Sequence, residues 1–250
     1  MEKPEILQRL FTRTATRFLV RTHRIIQRMP VERRSIQCSR VLVLAPHSDD
    51  EVISAGGVLA LRQRAGSAVR VLCVSSDSKA SPETLEARRM VEARTVAEFL
   101  GHELVFLEFP DGSLSLCERQ LALEVRKHID QFAPSIILVP FPADHHRDHQ
   151  AVAAACARAL DDTEFGGEFW CYEVWSTLWP NCVVDIDAVV QVKRQAISLY
   201  AAATGEMPYA DAVIGLNRYR GLKLQIRHAE AFFVSRKNQF VRLVAALNSI

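Results

Sequence analysis

Two short segments of the 250-residue chain concentrate the residue types that bind divalent metals. They are Ala45–Glu51 (APHSDDE) and Asp144–His149 (DHHRDH), and they hold four of the eight histidines, four aspartates and one glutamate. Histidine and carboxylate suit zinc, and a catalytic zinc takes three protein ligands and leaves a position for water. The pKa of such a water falls to about 7, so that hydroxide is available at neutral pH. The composition therefore predicts metal-assisted hydrolysis.

The spacing within the first segment divides the acidic residues into two roles. His47 and Asp50 are placed to bind one ion from a tight turn, and one histidine of the second segment would complete the ligand set. Asp49 is then left over and could serve as general base to the water. The alternative is structural: Asp49 and Asp50 could cap the following helix, and the histidines could lie in a solvated loop. Two such segments in one sheet favour the metal site.

An alternation of strands and helices must position these segments. Apolar runs predict strands at 41–45, 69–75, 103–109 and 135–139. Helical spacing predicts a helix after each of them, at 51–65, 82–100, 114–132 and 149–160. Nearly all-apolar strands separated by helices predict an α/β fold, a Rossmann-like, mostly parallel sheet with helices on both faces. Such sheets bind ligands at the carboxyl ends of their strands. We therefore expect the two segments to meet there.

The last third of the chain is less regular. Strands are expected at 168–175, 182–186 and 230–234, a helix at 188–203 and a loop-rich stretch at 205–222. The large aromatic residues of this region are expected to pack in the core rather than stack on a sugar: Trp175, Trp179 and Tyr219. Tyr209 and Arg218 fall in the loop-rich stretch, which is a reasonable place for a substrate lid.

The two segments together resemble the fingerprint of the PIG-L/LmbE-like deacetylases, a strand ending in (P/A)HPDDE and a later HxDH. Here the fingerprint reads PHSDDE and HRDH, with Ser48 where the family usually has proline. The resemblance covers about residues 40–234. Smaller pieces are similar too: Arg89-Met90-Val91-Glu92, Pro110-Asp111-Gly112, Tyr172-Glu173-Val174-Trp175, Asn217-Arg218-Tyr219-Arg220-Gly221 and His228-Ala229-Glu230-Ala231-Phe232.

This resemblance implies a metal-dependent N-deacetylase, a hydrolase that removes acetate from an N-acetylglucosamine-containing substrate, lipid-linked or a glycoside. His47, Asp50 and His149 would bind the metal, which is zinc or another divalent ion. Asp49 would be the general base. The amine would be protonated by Asp49 or by His146.

The resemblance also implies four supporting roles. His146 would polarise the amide carbonyl and stabilise the oxyanion. Asp148 would hold one imidazole in the required tautomer. Arg89 and Asp111 match family positions near the substrate. Their alternative interpretations are a helix-surface ion pair, Arg89 with Glu86 or Glu92, and a Pro-Asp-Gly turn.

Three other functions compete with this interpretation. The same metal chemistry could act on another acylated amine, such as an antibiotic or a thiol-glycoside precursor. A non-catalytic metal- or sugar-binding protein is disfavoured, because the ligand set is complete and a spare base stands beside it. A nucleotide-binding Rossmann protein is disfavoured as well, since no GxGxxG motif follows the first strand.

The N-terminal stretch needs its own explanation, because residues 1–40 hold ten Lys and Arg against three Glu. Residues 4–29 predict an amphipathic helix that Pro30 ends. We accordingly divide the chain into a basic helical arm, 1–38, and a single deacetylase domain, 39–250. The arm could pack on the domain with a solvated arginine face, bind a membrane surface, or bind a partner protein.

The remaining features concern location and partners. The chain has no apolar run of about 18 residues and no signal-peptide pattern at its start. The six cysteines are scattered without a CxxC pair, so we expect reduced thiols and a cytoplasmic protein, at the inner membrane surface if the arm binds lipid. No nucleic-acid partner is expected, because the excess of basic charge is confined to the arm.

Overall fold

The computed structural model describes residues 30–76, 81, 83–205 and 207–248. The chain divides into two units, Met1–Glu32 and Arg33–Ile250. The helix predicted at 4–29 lies outside the described residues, and the division of the chain at residue 38 stays a prediction. None of the described helices has the length and apolarity required to cross a membrane.

An eight-stranded, mostly parallel sheet organises the described chain, as the sequence predicted. Its strands are β1 Glu32–Arg33, β2 Arg40–Ala45, β3 Ala68–Ser75, β4 Glu103–Phe109, β5 Ile136–Pro140, β6 Glu168–Tyr172, β7 Cys182–Asp185 and β8 Ala229–Arg236. Their spatial order is β1-β7-β8-β6-β5-β2-β3-β4. The pairs β2–β3, β2–β5, β3–β4 and β5–β6 are parallel. Strand β8 runs antiparallel to β6 and β7.

The helices begin and end close to the predicted limits in the first two thirds of the chain. They are α1 Asp50–Arg64, α2 Leu85–Leu100, α3 Glu118–Phe132, α4 Arg147–Ala159, α5 Val190–Ser198, α6 Ala201–Thr204, α7 Tyr209–Leu222 and α8 Lys237–Asn248, with a 3₁₀ turn at Leu114–Cys117. Helix α2 shows why the ends of these helices could be predicted from the sequence. The Thr84 side chain accepts a hydrogen bond from the Ala87 amide at its start, and Gly101 ends it with φ 70°.

Both faces of the sheet are covered, which explains the continuous apolar strands. Val41 and Val43 of β2 point to one face, where α1, α2 and α5 pack. Leu42 and Leu44 point to the other, where α3, α4 and α8 pack. All four side chains are fully buried. The prediction of helices on both faces is confirmed.

The C-terminal third departs from the sequence prediction in two places. The stretch 205–222 was predicted to be loop-rich, but Tyr209–Leu222 forms helix α7. Only Ile214, Asn217 and Gly221 of this helix are buried, so its apolar stripe is too narrow to show in the sequence. Gly221 is a packing residue, since a Cβ there would lie 2.2 Å from the Ile226 carbonyl oxygen. Helix α8 was not predicted.

Four of the six cysteines are buried, Cys73, Cys156, Cys171 and Cys182.

Candidate active site and metal centre

The loops that follow β2 and β5 meet at the carboxyl edge of the sheet, because these strands are parallel neighbours. Three imidazoles come together there. The ring centroids of His47 and His146 are 4.8 Å apart, those of His146 and His149 5.0 Å, and those of His47 and His149 5.5 Å. Residues a hundred positions apart in sequence thus share one small site.

Asp50 lies at the centre of this group, on the first turn of α1, and is only 2% exposed. Its Oδ2 accepts a hydrogen bond from the His47 amide at 2.9 Å. The same oxygen lies 3.3 Å from His47 Nδ1 and 3.3 Å from His149 Nε2. Two imidazole nitrogens and one carboxylate oxygen therefore converge from two loops, as the ligands of a single ion must.

The environment of His149 is that expected of a buried metal ligand. Its side chain is fully buried, yet neither ring nitrogen has a partner with hydrogen-bond geometry among the described residues. Both nitrogens still lie near carboxylates, Nε2 by Asp50 and Nδ1 at 3.5 Å from Asp144 Oδ1. A buried imidazole without a well-formed hydrogen bond is costly, and a metal ion would satisfy it.

Asp144 is a site residue to which the sequence analysis gave no role. It is buried, its Oδ1 accepts from the His146 amide at 2.9 Å, and its Oδ2 accepts from the Trp175 and Ser176 amides. Its Oδ1 also lies 3.5 Å from His149 Nδ1, which is where carboxylates that orient metal-binding histidines are found. The signal available in the sequence was an aspartate in the loop after an apolar strand, five residues before a proposed ligand.

Asp148, predicted to hold an imidazole, contacts both a histidine ring and the backbone of the loop after β4. Its Oδ2 lies 3.4 Å from His47 Nε2, so the imidazole it contacts is that of His47. It also accepts hydrogen bonds from the Gly112 amide at 2.7 Å and the Leu114 amide at 3.1 Å. Asp148 thus ties the loop after β4 to the metal site and places Asp111, whose Oδ1 lies 3.1 Å from His47 Nε2.

His146 is the N-cap of α4, where its Nδ1 accepts a hydrogen bond from the Asp148 amide at 3.2 Å. An imidazole that accepts at Nδ1 carries its proton at Nε2 when neutral. Burial lowers the pKa of His146, and the neighbouring His47 and His149 lower it further. This arrangement makes His146 a neutral N–H donor. His145 beside it is exposed.

Two groups of described residues could hold a metal ion: His47 with His146 and His149, and His47 with Asp111 and Asp148. In each group the ligand atoms lie within 4.8 Å of one another. The predicted set of His47, Asp50 and His149 shares two members with the first group. Both groups include His47, so a measurement must determine which residues are the second and third ligands.

Asp49 lies in the sequence between the proposed ligands His47 and Asp50, and its backbone is strained. It has φ 118°, and its side chain makes no capping hydrogen bond to α1, so the capping alternative does not account for this carboxylate. Its amide donates to Glu51 Oε2 at 3.2 Å, and Tyr200 donates to Glu51 Oε1 at 2.5 Å. Glu51 and Tyr200 hold this backbone in place. Their role could not be predicted, because Tyr200 lies 149 residues from Glu51 in the sequence.

The charges of the site are strongly coupled. Burial alone would lower the pKa of His47, but hydrogen bonds to Asp111 and Asp50 raise it to about 11. Burial would likewise lower the pKa of His149, which attraction by Asp50 and the contact with Asp144 raise to about 9. Burial raises the pKa of Asp49, and repulsion by Asp50 and Glu51 raises it further. A field this negative attracts a cation.

Arg89 and Asp111, the predicted substrate residues, line a cavity of about 330 Å³ beside His47. Arg89 forms no ion pair with Glu86 or Glu92 among the described residues, and its buried Nε has no hydrogen-bond partner. Asp111 is 57% exposed. The rest of the lining mixes hydroxyl and apolar groups: Ser48, Cys73, Ser75, Ser76, Met90, Phe106 and Pro110, together with Glu86.

The prediction that three aromatic residues pack in the core is wrong. Trp175 and Trp179 are each 55% exposed, and Tyr219 is 67% exposed. The two tryptophans follow the end of β6, and Tyr219 lies on the outer surface of α7, so the sheet covers none of them. Tyr209 starts α7, and whether this segment closes over a substrate stays a prediction.

Known proteins share this sequence pattern and this fold. Residues 42–160 match the family model PIG-L, described as GlcNAc-PI de-N-acetylase. The chain is 28% identical over 181 residues to diacetylchitobiose deacetylase of Thermococcus kodakarensis, which covers 63% of this chain and 67% of that protein.

Two solved structures show the fold. The N,N'-diacetylchitobiose deacetylase of Pyrococcus horikoshii superposes with a TM-score of 0.68 at 21% identity, covering 82% of this chain and 86% of that one. GalB, the 4-carboxy-2-hydroxymuconate hydratase of Pseudomonas putida KT2440, also gives 0.68, at 20% identity, over 79% and 96% of the two chains. Since a deacetylase and a hydratase share it, the fold alone does not determine the reaction.

Proposed function

Residues 42–160 match the PIG-L family model, and from this premise we propose that the protein hydrolyses the N-acetyl group of an N-acetylglucosamine-containing substrate with the help of zinc. One observation carries the proposal. His47 Nδ1 and His149 Nε2 each lie 3.3 Å from one oxygen of Asp50. The Asp49 side chain, which α1 does not use, stands beside them. Ligands for an ion and a separate base are the groups that metal-assisted hydrolysis of an amide uses.

His47, Asp50 and His149 would hold the metal in this proposal. Their two imidazoles and one carboxylate match the donors of catalytic zinc sites, and the buried, unsatisfied His149 ring supports the fit. Zinc bound here would lower the pKa of a water molecule and supply hydroxide at neutral pH.

The other residues of the site would handle protons and charge. Asp49 takes the proton of the attacking water, for which its raised pKa suits it. His146 donates its Nε2–H to the carbonyl oxygen as that oxygen becomes negative. When the C–N bond breaks, Asp49 or His146 returns a proton to the amine, and the products are acetate and a free amino sugar. Arg89 and Asp111 orient the sugar hydroxyl groups.

A screen for acetate release tests the substrate class. Purified zinc-loaded protein is incubated with GlcNAc-lipids, GlcNAc-inositols, nucleotide sugars and chitooligosaccharides, and products are read by mass spectrometry as the loss of one acetyl group. We expect at least one GlcNAc compound to be deacetylated. Release only from an acylated antibiotic or a thiol-glycoside precursor would move the proposal to that class of amide.

The basic segment 4–29 would add peripheral contact with an anionic membrane, which suits a lipid-linked substrate. We also propose a cytoplasmic location, since the six cysteines are scattered in the sequence without a CxxC pair. Deleting residues 1–30 is expected to remove salt-sensitive sedimentation with anionic vesicles and to leave hydrolysis of a small GlcNAc substrate intact. Equal sedimentation of the full and truncated chains would exclude the membrane role.

A further inference from the structure

Two aromatic rings from different elements lie together beside the site. Trp175 follows β6, and Tyr209 is the first residue of α7. Their ring centroids are 6.4 Å apart with the planes at 89°, an edge-to-face contact. Trp175 is 55% exposed, so part of its surface is open to a ligand. A single exposed aromatic is ordinary, but an ordered pair beside a reaction centre is a candidate binding surface.

Asp144 ties Trp175 to the metal site. Its Oδ2 accepts hydrogen bonds from the Trp175 amide at 3.1 Å and the Ser176 amide at 3.2 Å. Its Oδ1 lies 3.5 Å from His149 Nδ1. One buried carboxylate therefore lies beside the ring of the proposed ligand His149 and also positions the backbone that carries the indole.

Tyr209 lies close to the proposed base. Burial raises the pKa of Tyr209, the charge of Asp49 raises it further, and the charge of Arg89 opposes the change. The phenol is thus within electrostatic reach of Asp49 and of Arg89, which lines the cavity. The edge-to-face contact and the hydrogen bond from the Trp175 amide to Asp144 agree with this, and together they indicate that the aromatic pair lies near the site.

The order of the strands gives the site two different sides. The loops after β3 and β4 build the polar cavity, with Ser75, Ser76 and Asp111. The loop after β6, with Trp175, lies on the other side of the imidazole cluster. The cavity of about 330 Å³ is at the small end of ligand pockets, which span about 300–1,000 Å³. It suits one polar amino sugar and leaves a second ring outside.

We infer that Trp175 and Tyr209 form a stacking subsite for the ring attached to the reacting amino sugar. The inference rests on the proposed function and narrows it to N-acetylated disaccharides or ring-bearing glycosides, in preference to free N-acetylglucosamine. The C–H face of a pyranose is apolar and packs on an indole, whereas the hydroxyl-rich edge suits the Arg89 and Asp111 side. Binding energy gained at the remote ring is available to the reaction at the amide.

The test compares two substrates, N-acetylglucosamine and N,N'-diacetylchitobiose, across matched variants. Trp175→Ala and Tyr209→Ala remove the subsite. Trp179→Ala and Tyr219→Ala are the controls, because Trp179 and Tyr219 are at least as exposed and make no ring contact in the described chain. We expect Trp175→Ala to lower kcat/KM for the disaccharide by about 10-fold. The monosaccharide rate and both controls should stay within about twofold of wild type.

An equal loss on both substrates, or no loss on the disaccharide, would overturn the subsite. A second measurement separates this result from failure of the proposed function. Quenching of tryptophan fluorescence by the deacetylated disaccharide of glucosamine reports binding without turnover, and it should weaken in Trp175→Ala but not in Trp179→Ala. If wild type binds this disaccharide through Trp175 yet releases no acetate from any GlcNAc compound, the proposed function fails and the subsite stands. Unchanged quenching in Trp175→Ala overturns the subsite alone.

Discussion

His149→Ala is expected to lose most of its bound metal and all measurable turnover. The His149 ring is fully buried on the first turn of α4, and its Nε2 lies 3.3 Å from Asp50 Oδ2. Asp144 lies on the opposite side of the ring, with its Oδ1 3.5 Å from His149 Nδ1. Removing it leaves a gap that His146 cannot fill while its Nδ1 is engaged as the cap of α4. Metal content by elemental analysis, read beside the rate, measures the effect.

The two neighbouring histidines are the matched controls for this variant. His146→Ala should keep its metal and bind substrate but lose about 10²–10³-fold in kcat, the usual cost of one oxyanion donor. His145→Ala should be near normal, since that side chain is exposed. Loss of metal from His146→Ala while His149→Ala stays loaded would show that the third ligand is His146. Loss of metal from Asp111→Asn would favour the group of His47, Asp111 and Asp148 instead.

Asp49→Asn is expected to retain stoichiometric metal and to lose about 10²–10⁴-fold in rate, the usual contribution of a general base. The asparagine side chain has nearly the same size as the aspartate that it replaces. The hydrogen bond to Glu51 Oε2 comes from the backbone N–H of residue 49, which the substitution does not change. The carboxylate makes no hydrogen bond that caps α1, so its loss should not disturb the helix.

Asp50→Asn is the control for this substitution, because Asp50 contacts both imidazoles and should be needed for metal binding. Metal content and initial rates are measured on the two variants together. Should Asp49→Asn arrive without metal while Asp50→Asn stays loaded, Asp49 is the ligand and the roles of the two aspartates are exchanged.

The central sheet and the loops proposed to bind metal could be predicted from the sequence, because both depend on residues that are close together in the chain. Strands β2, β3 and β5 are buried on both faces, so each is a short apolar run with a helix after it. The loops then carry a concentration of His and Asp whose residue types indicate a metal site. The direction of parallel strands was enough to bring His47 near His149.

The supporting contacts could not be predicted, because they join residues that are distant in sequence. Tyr200 reaches Glu51 across 149 positions, and Asp144 reaches Ser176 across 32. Neither pairing leaves a periodic signal. Helix α7 was missed for a related reason: it buries only a narrow stripe, and its Gly221 serves a close backbone approach rather than a turn.

Metal dependence is the most direct test of the account. The protein is treated with a strong divalent chelator, shown to be metal-free by elemental analysis, and assayed for acetate release on a GlcNAc substrate before and after zinc is added back. If His47, Asp50 and His149 hold a catalytic ion, the metal-free protein releases no acetate and zinc restores the rate. Full acetate release by the metal-free protein would contradict the mechanism at its centre.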